Sequence, residues 1–568
     1  MSSLTKNNYL IFYFLLIWMG ANLFQAAFME LHVDETYYWV YSQFLDWGYY
    51  DHPPMVALFM KAGDTIFHSA LMVRLLSVLT NVAAIAILWQ LVKSYVQDAS
   101  LFVILYSSML ILHVYSFITT PDTPLFFFTI VYFYLLKRYI KTDRLTNALL
   151  LAVVIAGMLY SKYHAVLVLL FTIVADLKLL KRPSFWLIVA ISGVLFVPHI
   201  LWQINHDLPS VQYHLFERSA RAYRFSFTTD FILSQLLIVG PFAALALYYY
   251  VFRQRATDIF LRIMKFNCYG FLLFFLISTF KGRVEAHWTL LAFVPFFILA
   301  YIHLGRMEHI PRWVMRLLYA NIALIIVIRI VLIFPIPALT KIRGLQQFWG
   351  KNDMAKRIHA KAGENYVIMD NGFQDISNYN FVNNTTKGFS YNTRNYRKTQ
   401  YDFWPIEDSL RNHKAYYATF RSHGTPLQDT IQTIKGPLYG RFLDAVRTYQ
   451  KVNIKVEGLR KEAEAGSKQY VTLTINNPYQ DTISFSNADE QWPVFLEYGY
   501  TQPVFQEENF VEMHGDYRNI IIPPGETATF PAKINMPPSP GKYMLLFSIR
   551  TDPFTGARNS DKFPIRVN

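Results

Sequence analysis

Acidic and aromatic residues alternate in the stretch LHVDETYYWVYSQFLDWGYYDHPPM, residues 31–55, in a way that soluble loops do not. The stretch follows an apolar run directly, and it carries Asp34, Glu35, Asp46 and Asp51 among tyrosine and tryptophan rings. Rings of these types are enriched where lipid meets water. The stretch is therefore predicted to lie at the surface of a membrane, next to the end of a membrane-spanning helix.

A helix is predicted to begin near Asp34, because Tyr37 and Tyr41 then fall on one helical face. Such a helix would lie in the interface with its rings at headgroup level. Asp34 is open to two interpretations, a cap of this helix or a carboxylate that accepts a proton at the water–lipid boundary. The pair Asp51–His52 either stabilises the following turn or belongs to a site.

The composition indicates a membrane protein with a large soluble part. Of 568 residues, 53% are hydrophobic and 16% are charged, whereas a soluble domain carries about 25% charged residues. Apolar runs recur from Tyr9 to Pro335 and nearly vanish after it. The first run lacks a small-residue cleavage site and is predicted to be a retained membrane helix.

About eleven apolar segments are candidate membrane spans, and some are shorter than the ~20 residues that a perpendicular span needs. They are Tyr9–Phe28, Leu71–Val92, Leu101–Ile118, Thr123–Ile140, Asn147–Tyr160, Tyr163–Leu180, Phe185–Gln203, Phe231–Phe252, Lys265–Phe280, Ala286–His303 and Trp313–Pro335.

The charges of the connecting loops predict the orientation. One set of alternate loops holds 16 basic and five acidic residues, whereas the first loop of the other set, residues 30–74, holds six acids and two bases. The positive-inside rule places the first set in the cytoplasm. The amino terminus is then inside and the carboxy-terminal part outside. The net charge of +14 therefore reflects topology and does not indicate nucleic acid as a partner.

Unusual polar residues gather on the predicted outer face. Ionisable groups at membrane depth are costly and commonly mark a site, and here they recur at the ends of separate spans. A polar chamber at this face is the simplest explanation. The candidates are Asp34, Glu35, Asp51 and His52 in the first loop, Asp122 in TTPDTPLFFF, Lys162 in YSKYHAV, and Lys281, Arg283 and His287 in KGRVEAHW.

Five segments carry a resemblance to a known family: DETYYWVYSQFLDWGYYDHPPMVAL, TPDTPLFFF, SKYHAVLVLL, PHILWQINHDLPSVQYH and AHWTLLAFVPFFIL. In this order the chain resembles the GT-C class of polyprenyl-phosphate-sugar-dependent glycosyltransferases. It is most similar to the bacterial branch related to protein O-mannosyltransferases and to the lipid A aminoarabinose transferase. The resemblance implies transfer of one sugar from a polyprenyl-phosphate carrier, with inversion, to a lipid, glycan or protein acceptor on the outer side of the membrane.

The resemblance also implies roles for the candidate residues. Asp34 matches the first-loop acid and would be the general base, Glu35 matches its acidic neighbour, and Asp122 matches a second acid that contacts sugar or acceptor. A leaving phosphate needs cations, and these are expected from the remaining polar segments. Those candidates are Lys162, Lys281 and Arg283, with His287 nearby.

Two alternatives to these roles remain open. Snorkelling of an interfacial charge explains Arg283 equally well. No zinc-ligand spacing is present in the sequence, although a divalent metal ion is compatible with the Asp/His-rich first loop. The resemblance implies no uniform dependence on a metal, and no cofactor is expected with certainty.

The part of the chain beyond the last apolar run is predicted to be extracytoplasmic and to contain two domains. Residues 341–448 mix helix-like and strand-like pieces, as in a small α/β unit. Residues 449–568 alternate in hydrophobicity between turn residues, as in an Ig-like β-sandwich. The predicted organisation is therefore a polytopic α-helical domain over residues 1–340, followed by these two. The lone Cys268 lies inside a span, so the sequence predicts no disulfide outside the membrane.

Two other functions fit a polytopic chain with polar residues. A transporter or flippase of lipid-linked sugars should show inverted repeats and charges near the bilayer midplane, whereas here no repeat is evident and the charges lie at span ends. A membrane anchor that displays the β-sandwich would not need eleven spans. The sequence therefore favours the transferase, in a bacterial inner membrane.

Overall fold

The computed structural model describes residues 3–217, 223–342, 345, 348–420, 429–487, 493–501 and 509–568. The chain divides into two compact units, Met1–Trp349 and Gly350–Asn568. The first unit is helical and the second is rich in β-strands. Each unit is described by itself below.

The first unit consists of helices joined by short loops, with short 3-10 segments at Leu177–Lys181 and Ala286–Thr289 and a π-helical turn at Tyr213–Glu217. The helices are α1 (Ser3–Phe28), α2 (Val33–Gln43), α3 (Met55–Asp64), α4 (Ala70–Val92), α5 (Ala99–Ser108), α6 (Leu110–Val114), α7 (Asp122–Lys141), α8 (Leu145–Ser161), α9 (Ala165–Ala175), α10 (Pro183–Asn205), α11 (Pro209–Gln212), α12 (Phe225–Val239), α13 (Ala244–Arg253), α14 (Ile259–Ser278), α15 (Leu290–Gly305), α16 (Arg312–Ile333) and α17 (Pro337–Thr340).

Polar residues fix where several of these helices begin. The side chain of Ser69 accepts the amide of Met72 at the start of α4. Asp98 likewise accepts the amide of Leu101 at the start of α5, and Asp258 accepts the amide of Leu261 at the start of α14. Such caps satisfy amide groups that lack a partner within the helix. The apolar segments between the caps then pack together around one large buried core.

Each of the eleven predicted spans contains helix, but the expected number of full spans is too high. Among the described residues, six helices are long and apolar enough to cross a membrane, or seven when a bent pair is counted as one span. The six are Lys6–Phe28, Ala70–Val92, Pro183–Asn205, Ile259–Ser278, Ala286–Gly305 and Arg312–Ile333.

Breaks in the helices explain much of the difference. The segment predicted at Leu101–Ile118 is interrupted at Met109, whose extended backbone separates α5 from α6. Helices α12 and α13 form the bent pair, which turns by 91°. The turn follows Gly240, which has a φ of +126°, a conformation that favours glycine. A side chain at this position would also collide with Asn321 of α16. Apolar composition alone does not reveal such breaks.

A five-stranded sheet begins the second unit. Its strands lie in the order β2-β1-β3-β5-β4, in which β1 is parallel to β2 and β3 while β5 is antiparallel to β3. The elements are helices α18 (Lys351–Ala362), α19 (Gln374–Val382) and α20 (Ile406–Leu410) and strands β1 (Tyr366–Asp370), β2 (Gly388–Tyr391), β3 (Ala415–Thr419), β4 (Asp429–Thr433) and β5 (Gly436–Leu443).

The remaining strands form a β-sandwich. One sheet has the order β11-β10-β14-β15-β7 and another the order β13-β8-β6, with a small β12-β9 pair. Residues from both larger sheets share one apolar core. The strands are β6 (Asn453–Glu457), β7 (Glu462–Ala463), β8 (Lys468–Asn476), β9 (Ile483–Ser484), β10 (Val494–Thr501), β11 (Asn509–Glu512), β12 (Ile521–Ile522), β13 (Thr527–Asn535), β14 (Gly541–Thr551) and β15 (Phe563–Val567).

A buried acid joins the α/β part of this unit to the sandwich. Glu407 of α20 accepts hydrogen bonds from the Thr448 hydroxyl at 2.7 Å, the Gln450 amide at 2.9 Å and the Tyr479 hydroxyl at 3.0 Å. Burial raises the pKa of the Glu407 carboxyl above its ordinary value. Tyr479 belongs to the sandwich core. The Glu407 side chain therefore links the α/β part of this unit to the sandwich.

In the first unit, helix α2 begins with a capping box, in which His32 is the cap and Glu35 the third helical residue. The His32 side chain accepts the Asp34 amide at 3.3 Å, and the Glu35 carboxylate accepts the His32 amide at 2.8 Å. The alternative that Asp34 caps this helix is therefore wrong. Because the imidazole of His32 supplies the acceptor, Asp34 falls inside the first turn.

Glu35 also forms a buried ion pair with Arg74 of α4. The two side chains are fully buried and meet at 2.8 and 2.6 Å. The Thr119 amide, just before α7, donates to the same carboxylate at 2.9 Å. Burial raises the pKa of Glu35, but Arg74 and the hydrogen bonds outweigh burial and leave the pKa below its ordinary value. Glu35 is therefore ionised at neutral pH.

The Arg74 guanidinium uses all of its N–H donors at the junction of these helices. Besides Glu35, it donates to the carbonyls of Ala26, Met29 and Glu30 at 3.1, 2.8 and 3.2 Å. These carbonyls lie at the end of α1, where a helix has no partners of its own for them. One ion pair thus joins α1, α2, α4 and the approach to α7.

We expect Arg74→Met to destabilise the protein strongly, because it leaves the Glu35 carboxylate buried without its counter-charge. Breaking a buried pair in this way costs about 3–5 kcal/mol, which thermal unfolding of the protein in lipid nanodiscs would detect as a lower melting temperature. The double variant Glu35→Gln/Arg74→Met should recover part of the loss, because no unpaired charge remains.

Lys93→Met is the matched control, because it removes a cation at the other end of the same helix and should change the melting temperature little. An equal loss in Arg74→Met and Lys93→Met would contradict the role of the pair. So would a double variant no more stable than Arg74→Met alone.

Candidate functional site

The aromatic rings of α2 are buried inside the protein, so the prediction that they lie in the lipid interface is wrong. Tyr37, Trp39 and Tyr41 are at most 1% exposed. The indole of Trp39 donates to Asp64 of α3 at 3.0 Å, which attaches α2 to its neighbour. The residues of this loop that remain exposed are further on, Leu45 and Trp47 among them. Packing against neighbouring helices thus outweighs the interfacial preference of the rings.

Three carboxylates lie within electrostatic range of the Tyr38 phenol. Burial, and then the negative charges of Asp34, Asp51 and Asp122, raise the pKa of Tyr38 well above its ordinary value. The three acids come from α2, from the loop after α2 and from the first turn of α7. The structure therefore brings together candidates that lie almost ninety residues apart in the sequence.

Asp34 differs from the other two acids in its exposure. Its side chain is 40% exposed, and one oxygen lies 3.6 Å from Nδ1 of His32. Asp51 and Asp122 are buried, at 6% and 4% exposure. Water and a reactant can therefore reach Asp34 more readily than its two neighbours.

Asp122 and Lys162 form a buried ion pair between α7 and α8. The Lys162 ammonium donates to both carboxylate oxygens, at 2.9 and 2.8 Å. Lys162 ends α8, so the pair joins the beginning of one helix to the end of the next. A buried charge is costly unless paired, and this pair places a cation beside the acid cluster.

Asp51 lies in a group of polar rings. It accepts a short hydrogen bond from the Tyr41 hydroxyl, and its backbone carbonyl lies 2.9 Å from Nε2 of His214. The ring of His52 lies 5.7 Å from that of Tyr38 and 6.2 Å from that of His214. Asp51 thus belongs to the three-carboxylate cluster, and the candidate His52 lies beside it.

The same group extends to the end of α10. Nε2 of His199 lies 3.0 Å from the Tyr163 hydroxyl, and Nδ1 lies 2.8 Å from the Trp47 carbonyl. The ring of Tyr163 lies 5.7 Å from that of His214. His199, Tyr163 and His214 therefore form a connected group that reaches Asp51.

The candidates from the loop between α14 and α15 are in a different setting. Lys281 and Arg283 are exposed, and the Arg283 side chain lies 3.5 Å from Glu285. The ring of His287 lies 6.4 Å from that of Trp288, which in turn lies 6.0 Å from that of His164. Of these candidates, His287 is the one that the structure links through rings to the segment after Lys162.

The side chains of the site do not form a metal-binding group. Among the residues that the structure describes, no three His, Cys, Asp or Glu side chains lie close enough together to hold a metal ion. Asp122 is instead paired with a lysine, and Glu35 with an arginine. The divalent metal ion that the sequence left open therefore gains no support from these described side chains.

Reasoning from the sequence missed the groups that hold the site together. The sequence analysis does not single out Arg74 or His32 as site residues. An arginine at the start of an otherwise apolar helix is nevertheless energetically costly and requires a polar partner. Tyr163, His199 and His214 lay in segments already singled out, but nothing in their spacing linked them. Their proximity depends on how α8, α10 and the first loop pack.

Comparison of the sequence with known proteins gives two matches. Residues 51–202 match the family described as dolichyl-phosphate-mannose-protein mannosyltransferase. Over 310 residues, the chain is 27% identical to the lipid A galacturonosyltransferase RgtD of Rhizobium johnstonii. That alignment covers 50% of this chain and 64% of the relative, so the chain spans less than two thirds of the length of the curated relative that it matches.

Comparison of the structure with solved structures gives a third match. ArnT from Cupriavidus metallidurans in the apo state has a TM-score of 0.57 at 12% identity, and the match covers 76% of this chain and 97% of that protein. ArnT bound to undecaprenyl phosphate has a TM-score of 0.54 at the same identity and coverage. The resemblance inferred from the sequence is therefore confirmed at the level of the fold, and the chain has the fold of ArnT.

Proposed function

We propose that the protein is a glycosyltransferase that moves one sugar from a polyprenyl-phosphate carrier to an acceptor. The observation that carries this proposal is the partly exposed Asp34 carboxylate, with the buried Asp122–Lys162 ion pair at 2.8 Å and Asp34 and Asp122 both within electrostatic range of Tyr38. A general base needs an accessible carboxylate, and a departing phosphate needs a cation. The cluster offers both.

The class of donor is supported by the relatives. A structure with the same fold holds undecaprenyl phosphate, and the matching family is named for a dolichyl-phosphate sugar. Both carriers are isoprenoid phosphates with long apolar tails. A chain whose helices are long and apolar enough to cross a membrane suits a donor that resides in the bilayer.

Asp34 is the residue that we assign as the general base. It would take the proton of an acceptor hydroxyl while the acceptor oxygen forms a bond to the anomeric carbon of the sugar. The bond from that carbon to the carrier phosphate breaks in the same step, so the phosphate leaves with the electron pair. Its 40% exposure gives Asp34 the access that this role requires.

Glu35 is the residue that we assign to positioning Asp34. It was expected beside Asp34 as a second catalytic acid, but its carboxylate already accepts four hydrogen bonds from His32, Arg74 and Thr119. Arg74 also keeps it ionised. It fixes the first turn of α2 and so fixes the place of its neighbour.

The carrier phosphate would contact Lys162. An ammonium group has three donors, so Lys162 can turn toward a phosphate while it remains beside Asp122. Asp51, His52 and His287 are then candidates for contacts to the sugar or the acceptor. Lys281 and Arg283 are exposed. We therefore propose them only as contacts for the carrier phosphate while it approaches the site from the surface.

The site is proposed to face the outer side of the membrane. Asp122 begins α7 and Lys162 ends α8, and the loop that joins these two helices at their other ends carries Lys141 and Arg144. Basic loops of this kind are cytoplasmic. The charge of this loop supports a site outside the cytoplasm of a bacterial inner membrane, whatever the number of spans.

The acceptor is proposed to be a membrane lipid bearing sugar. A curated relative is named for transfer to lipid A, and a protein or a lipid-linked glycan would present the same hydroxyl to Asp34. Transport of lipid-linked sugar without transfer is the competing function. It would leave the donor sugar attached to its carrier, so an assay of product formation separates the two.

A topology reporter tests the orientation. Alkaline phosphatase, which is active only outside the cytoplasm, should be active when fused after Asn568 and inactive when fused in the loop at Lys141, because the basic loops stay inside. Phosphatase activity in the fusion at Lys141, together with inactivity in the fusion after Asn568, would contradict the outer location of the site.

Asp34→Asn should abolish the proton acceptor while it keeps the size of the side chain. We expect product formation per unit of folded protein to fall by about 10²–10⁴-fold, the usual range for a general base, in membranes that contain polyprenyl-phosphate sugars. Asp34→Ala should be equally inactive, because His32 rather than Asp34 caps α2.

Asp46→Asn is the matched control for this experiment. Asp46 lies in the same loop and accepts the Trp202 indole at 2.7 Å, which asparagine can also do, so this variant should stay active. Glu35→Gln should lower both activity and melting temperature, as expected of a positioning residue. Near-full activity in Asp34→Asn would remove Asp34 from catalysis.

The role of Lys162 needs a variant that does not leave Asp122 unpaired. In Asp122→Asn/Lys162→Met the ion pair is replaced as a unit, so the fold should persist. A lost contact between phosphate and ammonium is worth about 1.5–3 kcal/mol, so we expect the KM for the lipid-linked donor to rise by about 10- to 150-fold.

Two single variants complete the comparison. Lys281→Ala should raise the donor KM less than the double variant does, because Lys281 is exposed. Lys178→Ala, in a basic loop near α9, should leave it unchanged. A donor KM that is unchanged in both the double variant and Lys281→Ala would take these lysines out of the donor site.

A further inference from the structure

An arginine lies in the apolar part of α16. Arg329 is about one turn before the end of this helix at Ile333. The helix is long and apolar enough to cross a membrane, and an ionisable residue inside such a helix commonly serves a function. The transfer step described above makes no use of Arg329, so its charge needs another explanation.

Arg329 joins α16 to two other helices of the first unit. Its Nε donates to the Gln25 side chain of α1 at 3.3 Å, and its Nη2 donates to the Asn22 side chain at 2.8 Å and to the Ala21 carbonyl at 3.3 Å. Its Nη1 lies 3.3 Å from Nδ1 of His113 in α6. These contacts use four of the five N–H groups of an arginine.

The histidine in this group is uncharged. Nε2 of His113 lies 2.8 Å from the Ser107 carbonyl, which accepts a hydrogen bond and therefore requires an N–H. Nδ1 faces an N–H of Arg329 and must carry the lone pair. An imidazolium would have an N–H on both nitrogens, and one of them would then oppose the guanidinium. All the acceptors that Arg329 reaches in the described part of the chain are thus neutral.

This part of the bundle holds more positive than negative charge. The guanidinium groups of Arg74 and Arg329 lie 5.7 and 5.4 Å from the centre of the Phe117 ring. Glu35 pairs with Arg74, whereas no carboxylate among the described residues forms an ion pair with Arg329. One positive charge is therefore left without an anion, and a buried charge without a counter-charge is costly.

The Nη2 end of the guanidinium is at the surface of the bundle. Its hydrogen bond to the Ala21 carbonyl is exposed. At neighbouring positions of α1 and α16, the exposed side chains are the apolar Phe24, Ile326 and Ile330. Such a surface faces acyl chains when its helices cross a membrane. An anion that approaches Nη2 from this side is therefore expected to be carried by a lipid.

Arg329 lies at the same end of the bundle as the candidate site. The Phe117 ring that it contacts precedes α7, which begins at Asp122, and Gln25 is in the last turn of α1. The remaining turn of α16 rises by about 6 Å, a distance that a long side chain spans when it extends toward headgroups. The guanidinium is therefore within reach of a lipid phosphate.

We propose that Arg329 binds the phosphate group of a phospholipid that carries one net negative charge. One unpaired cation matches one negative charge. A phosphate monoester, as in a polyprenyl carrier, carries almost two charges at neutral pH and would leave an excess in a poorly hydrated place. A zwitterionic headgroup brings its own cation and gains less. The site is thus separate from the contact proposed for Lys162 and does not depend on sugar transfer.

The test is native mass spectrometry of the full chain in a nonionic detergent. Phosphatidylglycerol, phosphatidylcholine and undecaprenyl phosphate are titrated separately, and the Kd of the first bound lipid is measured. We expect phosphatidylglycerol to bind more tightly than phosphatidylcholine, because both are phosphodiesters but only the first has a net charge.

Arg329→Gln should raise the Kd for phosphatidylglycerol by about 10-fold or more, the effect of losing one hydrogen bond to a charged group. It should leave the Kd for undecaprenyl phosphate unchanged. Arg316→Gln is the matched control, because it removes an exposed cation near the start of the same helix. This control should leave the affinity for all three lipids as it is in the wild type.

Asn22→Asp tests the missing counter-charge while it keeps Arg329. The Asn22 oxygen accepts from Arg329 and from the Ser116 hydroxyl at 2.6 Å, and a carboxylate preserves both bonds. The variant gives up the bond from the Asn22 amide group to the Trp18 carbonyl. Because it supplies an internal anion, it should also raise the Kd for phosphatidylglycerol by about 10-fold. Its melting temperature in phosphatidylcholine nanodiscs should fall less than that of Arg329→Gln.

Weaker phosphatidylglycerol binding in both variants, with the control unchanged, supports the site. Equal binding of phosphatidylglycerol and phosphatidylcholine by the wild type would overturn it. So would a loss of affinity in Arg329→Gln that is absent in Asn22→Asp, because the arginine would then act only on the packing of the helices. A Kd for undecaprenyl phosphate that rises in Arg329→Gln as much as that for phosphatidylglycerol would assign the cation to the carrier instead. None of these results bears on sugar transfer.

Discussion

The ion pair between Glu35 and Arg74 is the interaction on which the arrangement of the first unit depends. Taking two charges out of water is costly, and such a pair persists only when its remaining hydrogen-bonding groups are satisfied. Here Arg74 donates to the carbonyls that end α1, and Glu35 accepts the amides that begin α2 and precede α7. The pair therefore determines position more than it adds stability. It sets where the first turn of α2 lies, and with it the side chain of Asp34.

Three carboxylates of the site have different roles because their surroundings differ. Glu35 is fully buried against an arginine, Asp122 is buried against a lysine, and Asp34 is partly exposed beside a histidine. Environment rather than residue type assigns acid, base and structural roles in many enzymes. The Glu35 carboxylate already accepts four hydrogen bonds and so has no acceptor site left for a hydroxyl proton. The least buried of the three is thus the one suited to proton transfer, and the other two keep it and the cation in place.

Much of the fold could be predicted from the sequence, because hydrophobic periodicity depends on near neighbours. All eleven apolar segments contain helix, and the alternation after Val452 corresponds to strands of a sandwich. The breaks at Met109 and Gly240 could not be predicted, since they depend on contacts with distant residues such as Asn321. Asp34, Asp122 and Lys162 were found because charges at span ends are rare. Their partners were missed because Arg74 lies 39 residues from Glu35, and sequence spacing carries no information about such a pair.

The candidate site lies at the ends of regular elements. Asp122 begins one helix and Lys162 ends another. The ends of regular elements are where backbone groups lack partners and side chains can converge from several segments. An apolar bundle has no other place for a charged site, because a charge in the middle of a span is expensive. A donor with an apolar tail and a polar head requires such a boundary, because its phosphate must meet the charged groups while its tail stays in the bilayer.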